Sequence, residues 1–300
     1  MKIKDFVVPK SVTEACNILK NTQEDSVFII AGGTCVNFMG DSNENQKIAV
    51  DISKLPFDYV NKSNESKEIG ALVTLSNIMR KGEGDCVECG HKGEDWLLDQ
   101  VANKIATQPV RNISTIGGNI SRVFYWSDMP VALLALDGVI RVINIHNEVE
   151  EDISAIEFFK QQPAILLKNK KCIVKSVKIR TNPNNKFGMS YYKESKTHRT
   201  FSMMSLAVFV EVNNNSIIEK ANVVLGACVN LPRKLYDIEK EIVGKNADEL
   251  LKTRKLNIDD IIENIPNLYM RENLSKDYLK NLIKIKTIDC VCNALIKALK

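Results

Sequence analysis

The sequence has no apolar run near the roughly 18 uninterrupted residues of a membrane-spanning helix. Its opening, Met1-Lys2-Ile3-Lys4-Asp5, is not apolar enough for a signal peptide. Charge of one sign is missing too. Lysine plus arginine (41) exceeds aspartate plus glutamate (37) by four. The surplus is scattered except at Lys168-Asn169-Lys170-Lys171 and the lysine-rich C-terminus, so there is no stripe for nucleic acid. Eight cysteines in 300 residues make no disulfide framework, and Cys16, Cys35, Cys172 and Cys228 lie in apolar surroundings, where a reduced thiol behaves as a small hydrophobe. The three histidines, His91, His146 and His198, are dispersed, and no Ser/His/Asp set or carboxylate pair stands out. Neither a G-x-G-x-x-G fingerprint nor a P-loop is present. The expectation is a soluble, cytoplasmic globular protein of about two domains at roughly 150 residues each, with no membrane or nucleic-acid partner.

What is present is a pair of glycine motifs: Ala31-Gly32-Gly33-Thr34 after an apolar stretch, and Thr115-Ile116-Gly117-Gly118-Asn119 directly after Arg111-Asn112. Glycine has no Cβ to hold an anion away and tolerates positive φ, so two such turns suit backbone N–H groups laid against a diphosphate, with threonine adding a hydroxyl donor.

Around these motifs the pattern alternates helix and strand. Ser11-Val12-Thr13-Glu14 is a capping box opening a helix to about Asn21, Val27 to Ile30 is a strand, Val36 to Met39 a short helix, and Ile48 to Ile52 a second strand. A strand ends at Glu68 to Ala71, Thr74 caps a helix through Met79, and a further helix covers Trp96 to Ala106. Asp128-Met129-Pro130 starts a helix through Leu136, Val139 to Ile145 is a strand, Ile156 to Phe159 a helical turn, and Cys172 to Ile179 a strand at a domain boundary. Tyr191 to Lys193, Ser205 to Val212 and Ala221 to Ala227 read as antiparallel strands with a turn at Asn213 to Asn215. Beyond Ile238 the patterns are helical, and the last helix, from about Ser275, carries Tyr278, Leu279, Leu282, Ile283, Val291 and Leu295 on one side.

The order Phe6, Pro9, Ser11, Glu14-Ala15, Ala31-Gly32-Gly33-Thr34, then Arg111-Asn112, Thr115 to Asn119, Asp128-Met129-Pro130 and Leu136-Asp137-Gly138 resembles the FAD-binding subunit of the molybdenum hydroxylases, the xanthine dehydrogenase and carbon monoxide dehydrogenase type. Tyr191-Tyr192-Lys193 and Ser275, Tyr278-Leu279, Leu282 are similar to its smaller C-terminal domain, so the likeness covers essentially the whole chain. It implies an α+β fold: a two-part α/β FAD-binding domain of the PCMH type (residues 1–55 and 56–180), then a smaller domain (181–300) with an antiparallel sheet and a helical bundle.

The resemblance also implies site residues. Ile29, Ile30, Ala31, Gly32, Gly33, Thr34, Cys35 and Val36 would wrap the ADP half and pyrophosphate of FAD, and Thr115, Gly117, Gly118 and Asn119 would close the other side. Asp128 falls at an FAD-contacting aspartate and Lys193 where the family often has a lysine reaching the cofactor, while Ile105 and Val174 match positions near the flavin ring or adenine. Catalytic acid–base residues are not expected. The implied partners are a subunit with two [2Fe–2S] clusters and a molybdopterin-containing large subunit, with NAD or another electron acceptor.

Alternatives stand beside these roles. Asp128 could be an N-cap, Arg111-Asn112 a brace for the turn, Lys193 a solvated lysine at a strand end, and Cys35 a neutral loop thiol rather than a covalent flavin link. Cys86-Val87-Glu88-Cys89-Gly90-His91 supplies three soft ligands, short of the four that zinc or an iron–sulfur cluster takes, and reads either as a loop with reduced thiols or as a partial metal site on Cys86 and Cys89. A free-standing FAD-dependent reductase, resembling the enolpyruvyl-glucosamine reductases, is the alternative function; a nucleotide-binding regulatory module is a third.

Overall fold

The computed structural model describes residues 3–23, 26–36, 47–81, 95–180, 186–197, 200–268 and 275–300. The chain opens on a strand that periodicity does not announce, β1 (Ile3–Val7), whose first four residues are exposed. It exists because it pairs in parallel with a later strand. Helix α1 (Val12–Asn21) follows, with the Ser11 hydroxyl accepting from the Glu14 N–H and the Glu14 carboxylate reaching back to the Lys10 N–H at 2.7 Å, one residue short of a closed capping box. Strands β2 (Val27–Ile30) and β3 (Lys47–Asp51) complete a three-stranded parallel sheet in the order β1-β3-β2. Ala15, Cys16 and Leu19 of α1 are buried in the same core as Val50 and Ile52. The expected helix over Val36 to Met39 falls largely outside the described residues.

The second section contributes β4 (Val60–Lys62), β5 (Ser66–Gly70), α2 (Leu75–Lys81), α3 (Asp95–Lys104), α4 (Gln108–Ile113), α5 (Ile116–Ser121), α6 (Met129–Ala135), β6 (Val139–Asn144), β7 (Glu150–Ser154), α7 (Ala155–Phe158), α8 (Pro163–Lys170) and β8 (Cys172–Arg180). Its antiparallel sheet runs β4-β5-β8-β6-β7. Although β8 comes last in sequence it lies in the middle, pairing Val177 with both Ile69 and Ile140. That central place explains its nearly unbroken buried run, Cys172 to Val174 and Ser176 to Val177.

The third section holds β9 (Lys186–Glu194), β10 (Met204–Val212), β11 (Ile218–Gly226) and β12 (Arg233–Lys234) in an antiparallel sheet ordered β12-β11-β10-β9. Helices α9 (Tyr236–Ile242), α10 (Ala247–Thr253), α11 (Asp259–Glu263) and α12 (Lys276–Ala298) follow. Ser275 caps α12 by accepting from the Tyr278 N–H. Leu279, Ile283, Val291 and Leu295 are buried as their spacing predicts, but Tyr278 is 49% exposed and lies outside the stripe. One core joins the first two sections and reaches Met189, Tyr191, Ala207, Phe209 and Val224 of the third; a second core fills the space between β10, β11 and the C-terminal helices.

Asp137, in the left-handed region at φ 48°, links the second and third sections. Its carboxylate accepts from Lys234 Nζ at 2.5 Å, Lys220 Nζ at 2.7 Å and Asn222 Nδ2 at 2.9 Å, and the Asn222 amide also donates to the Ala135 carbonyl. Burial alone would raise the Asp137 pKa, but the hydrogen bonds from Lys220, Lys234 and Asn222 together hold it below the ordinary value. A lowered folded-state pKa stabilises the protein above the unfolded carboxyl pKa of about 3.9 and loses that contribution as pH falls below it. Asp137→Asn is therefore expected to lower the urea midpoint at pH 7, with the gap from wild type closing below about pH 4. Urea titrations across that range that stay parallel would contradict the assignment.

Candidate functional site: the glycine segments and the Asp128–Lys193 pair

At the end of β2 the Ile30 carbonyl accepts from the Ile52 N–H at 2.8 Å, and the chain then enters the first glycine segment. Gly33 adopts φ +69°, which an L side chain resists, and Val36 N–H closes back onto the Gly33 carbonyl. Gly32 is demanded for a different reason. A Cβ there would lie 1.7 Å from the Ile113 carbonyl oxygen and 2.7 Å from its carbon. The first segment is thus pressed backbone to backbone against residues 113–114, and Ser114 and Thr34 share a hydroxyl hydrogen bond at 3.2 Å. Among the described residues no backbone hydrogen bond uses the N–H groups of Gly32, Gly33, Thr34 or Cys35. Ile29 is 42% exposed at the end of β2, and Ile30, Ala31, Thr34, Cys35 and Val36 are half-buried. Burial raises the Cys35 thiol pKa and outweighs the Thr34 hydroxyl and Arg122 charge that lower it, leaving a neutral thiol at physiological pH.

The second glycine pair is not a turn but the first turn of helix α5. Thr115 is its N-cap, its hydroxyl accepting from the Gly118 N–H at 3.1 Å. The remaining donors are used as well: Ile116 N–H by the Val73 carbonyl, Gly117 N–H by the Ala71 carbonyl, and Asn119 N–H by the Thr115 carbonyl. Gly117 is required because a Cβ would meet Ala71 Cβ at 2.6 Å, and Gly118 is exposed. Among the described residues, only the first of the two expected N–H cradles has donors outside backbone hydrogen bonds; the second contributes close packing and the Asn119 side chain. Asn119 Oδ1 is buried with no hydrogen-bond partner among the described residues.

Arg111 and Asn112 are a brace. Arg111 is 2% exposed, with Nη1 donating to the Ile105 and Ala106 carbonyls and Nη2 to Gln108 Oε1, while Asn112 Oδ1 accepts from Ser76 and Gln108. Ile105 is half-buried on the corner so held. Val174 is 5% exposed, opposite Val142; it sits one layer behind the glycine helix, since the neighbouring Lys175 carbonyl accepts from Ala71 N–H, whose own carbonyl holds Gly117.

Asp128 immediately precedes α6 but makes no side-chain capping bond. Its Oδ2 accepts from Lys193 Nζ at 2.9 Å and its Oδ1 from the Ser202 hydroxyl at 2.5 Å. Both charged side chains are almost fully buried, at 2% and 4% exposure, so Lys193 is no solvated lysine. A second ammonium proton goes to the Lys104 carbonyl at 2.9 Å. Period-2 geometry puts Tyr191 on the same face of β9 as Lys193, and its hydroxyl pKa stands well above the usual tyrosine value, through burial first and the Asp128 charge second. Ser202 was invisible in the sequence, because nothing local to it signals a partner 74 residues away. Cys86, Cys89 and His91 lie outside the described residues, and among those described no cluster of His, Cys, Asp or Glu could hold a metal ion.

The family model for the FAD binding domain in molybdopterin dehydrogenase matches residues 1–180. The chain belongs to that family. FAD is its cofactor, and it is the FAD-binding component of an oxidoreductase of the molybdenum hydroxylase type. Similar proteins include the glyceraldehyde dehydrogenase medium chain of Sulfolobus acidocaldarius, 27% identical with 82% of this chain and 84% of that protein aligned, and the nicotinate dehydrogenase FAD-subunit of Eubacterium barkeri, 25% identical over 81% of each. An abscisic-aldehyde oxidase of Arabidopsis thaliana is 30% identical, but the match takes 53% of this chain and only 12% of that longer protein. In fold the chain is similar to a carbon monoxide dehydrogenase chain of Hydrogenophaga pseudoflava (TM-score 0.82, 19% identity, 99% and 98% covered) and to one of quinoline 2-oxidoreductase from Pseudomonas putida (TM-score 0.80, 19%, 100% of each). These matches bear out the α+β, PCMH-type architecture. No helix among the described residues is long and apolar enough to cross a membrane.

The donors and acceptors of these residues fit FAD. Among the described residues, the first glycine segment offers four N–H groups that no backbone hydrogen bond uses, Asn119 supplies a buried acceptor without a partner, and the Lys193 ammonium spends two of its three protons. A dinucleotide needs such a set: anion-binding donors, an acceptor for its polar groups, and a cation near the electron-accepting ring.

Proposed function

We propose that the chain is the FAD-carrying electron-transfer subunit of a multi-subunit molybdenum hydroxylase, working in the cytoplasm and passing electrons between [2Fe–2S] clusters on one partner and NAD or another acceptor. Substrate would be oxidised on a separate molybdopterin-containing large subunit. The observation that carries this reading is the Gly32–Gly33 segment with its uncommitted donors, clamped to residues 113–114 within a span that matches the family. The names of similar proteins, a medium chain, an FAD-subunit and a dehydrogenase complex subunit alpha, support a subunit role.

Residues 1–55 and 56–180 would form the two halves of the flavin site and 181–300 the C-terminal domain, with the Asp137 link holding the last to the second. Ile29 to Val36 would hold the ADP half and pyrophosphate, their N–H groups donating to phosphate oxygens, and Thr115 to Asn119 would close the opposite side through Asn119 and the bare backbone of Gly118. Asp128 fixes the Lys193 ammonium so that its remaining proton can be offered to the cofactor, and Ile105 and Val174 line or support the apolar part. Bound FAD supplies two-electron exchange with a hydride acceptor and one-electron exchange with iron–sulfur clusters. The chain's own work is to bind, orient and charge-tune that group.

A tagged copy purified from its own cells is expected to carry stoichiometric FAD together with iron and molybdenum on co-purifying subunits. The full chain holding FAD but free of both metals and of such subunits would overturn the assembly proposed; a chain with no affinity for FAD would overturn the cofactor role as well.

A further inference from the structure

Helix α3 ends at Lys104, so the carbonyls at its end have no further turn to bond to. Two buried cationic side chains from different elements take three carbonyls in succession. Lys193 of β9 donates to the Lys104 carbonyl at 2.9 Å, while Arg111 of α4 donates through Nη1 to the Ile105 carbonyl at 2.8 Å and the Ala106 carbonyl at 2.6 Å. A helix C-terminus favours such charges. The corner they grip is strained, because Ala106 sits in the left-handed region at φ 45°, which costs a residue with a Cβ. Conformations of that kind persist where the surroundings over-determine them.

The two cations lead to opposite sides of the molecule. Behind Lys193 stands Asp128, which also accepts from Ser202, so this side is anchored in the third section. Behind Arg111 is α4, only six residues long and too short to keep its place by its own turns. Contacts set its position: the Arg111 grip, the bond from Ser76 to Asn112 at 2.7 Å, and Leu75 N–H on the Ser114 carbonyl at 2.8 Å. The end of α4 is also the surface on which the first glycine segment lies, through the Ile113 carbonyl against Gly32 and the Ser114–Thr34 hydroxyl bond. A shift of the corner therefore moves α4, and α4 moves the support of the segment.

We propose that the corner at residues 104–106 is a joint through which the third section sets the diphosphate grip of the first glycine segment, with Lys193 and Arg111 as its positioning residues. The proposal rests on the FAD-subunit reading, and it is separable from any contact of Lys193 with the cofactor. ADP separates the two, since it offers a diphosphate and carries no flavin ring. The full chain stripped of flavin is titrated with ADP as the wild type, as Arg111→Met, as Asp128→Asn with Lys193→Met, which strands no buried charge, and as all three changes together. The first two variants are each expected to bind ADP several-fold more weakly. The combination is expected to lose no more than the weaker binder of the two, because both act on one corner. Before any ligand is added, the amides of Val36 and Ser114, bonded to the Gly33 and Val110 carbonyls, are expected to exchange hydrogen several-fold faster in both variants. Wild-type ADP affinity and wild-type exchange in Asp128→Asn with Lys193→Met overturn the joint, as do losses that simply multiply in the combination. Should Arg111→Met fail to fold, the charge-free pair decides alone by both readouts. A wild-type chain that binds neither FAD nor ADP would instead overturn the reading beneath, and exchange at Val36 and Ser114 still decides the joint.

Discussion

Gly32→Ala is expected to weaken FAD binding by at least about tenfold, while Gly33→Ala does much less. The two glycines are adjacent, but the structure separates their reasons for being glycine. A methyl on Gly32 meets the Ile113 carbonyl oxygen at 1.7 Å, the carbonyl carbon at 2.7 Å and Ser114 Cα at 3.3 Å, all backbone atoms that cannot rotate aside. The first segment must then lift from residues 113–114, breaking the Thr34–Ser114 hydrogen bond and shifting the N–H groups of residues 32–35. Overpacking of this kind costs about 1–3 kcal/mol or more, and each 1.4 kcal/mol directed at the site is tenfold in affinity. On Gly33 the same methyl meets only Ile30 Cγ2 at 3.9 Å, so the penalty is the left-handed backbone, about 1–2 kcal/mol. Isothermal titration of FAD into each variant checks this. Equal affinities for wild type and Gly32→Ala would mean that the contact between the segments does not shape the site.

Asp128→Ala is expected to be the most destabilising single change at the site. It leaves the Lys193 ammonium, 4% exposed, with only the Lys104 carbonyl, and the Ser202 hydroxyl without its acceptor. Stripping one partner from a buried pair costs about 3–5 kcal/mol because the remaining charge is stranded out of water. In a chain of this size that lowers the melting temperature by something on the order of 10 °C. Asp128→Asn with Lys193→Met removes both charges, keeps an acceptor for Ser202, and is expected to recover most of the loss, since the cost lies in the unpaired charge rather than the missing attraction. Calorimetry on the single and double variants separates these. A double variant as unstable as Asp128→Ala would show that the pair itself, not its imbalance, supplies the stability. Each variant is also expected to lower FAD affinity, as Lys193 is either removed or left without the carboxylate that orients it.

Legibility along the chain followed the range of the forces involved. The capped helix α1, strands β2, β3 and β6, the long strands β10 and β11, and the buried side of α12 were readable because capping and periodicity are set by neighbours a few residues apart. Strand β1 was not, since its residues are exposed and its only reason to be extended is β3, some 40 residues further on. The second glycine pair looked like a second N–H cradle. It is a helix start because Val73 and Ala71 supply carbonyls to its first N–H groups, which no local pattern announces.

By itself the sequence determined the family, the cofactor and the places of the two glycine segments, because missing side chains and short capping motifs are properties of the chain alone. Only the tertiary structure decided which glycine segment keeps its donors free, that Arg111 is a buried brace, and that Asp128 and Lys193 are bound first to each other. Those outcomes depend on which carbonyl or ammonium arrives from another element, and burial sets their strength.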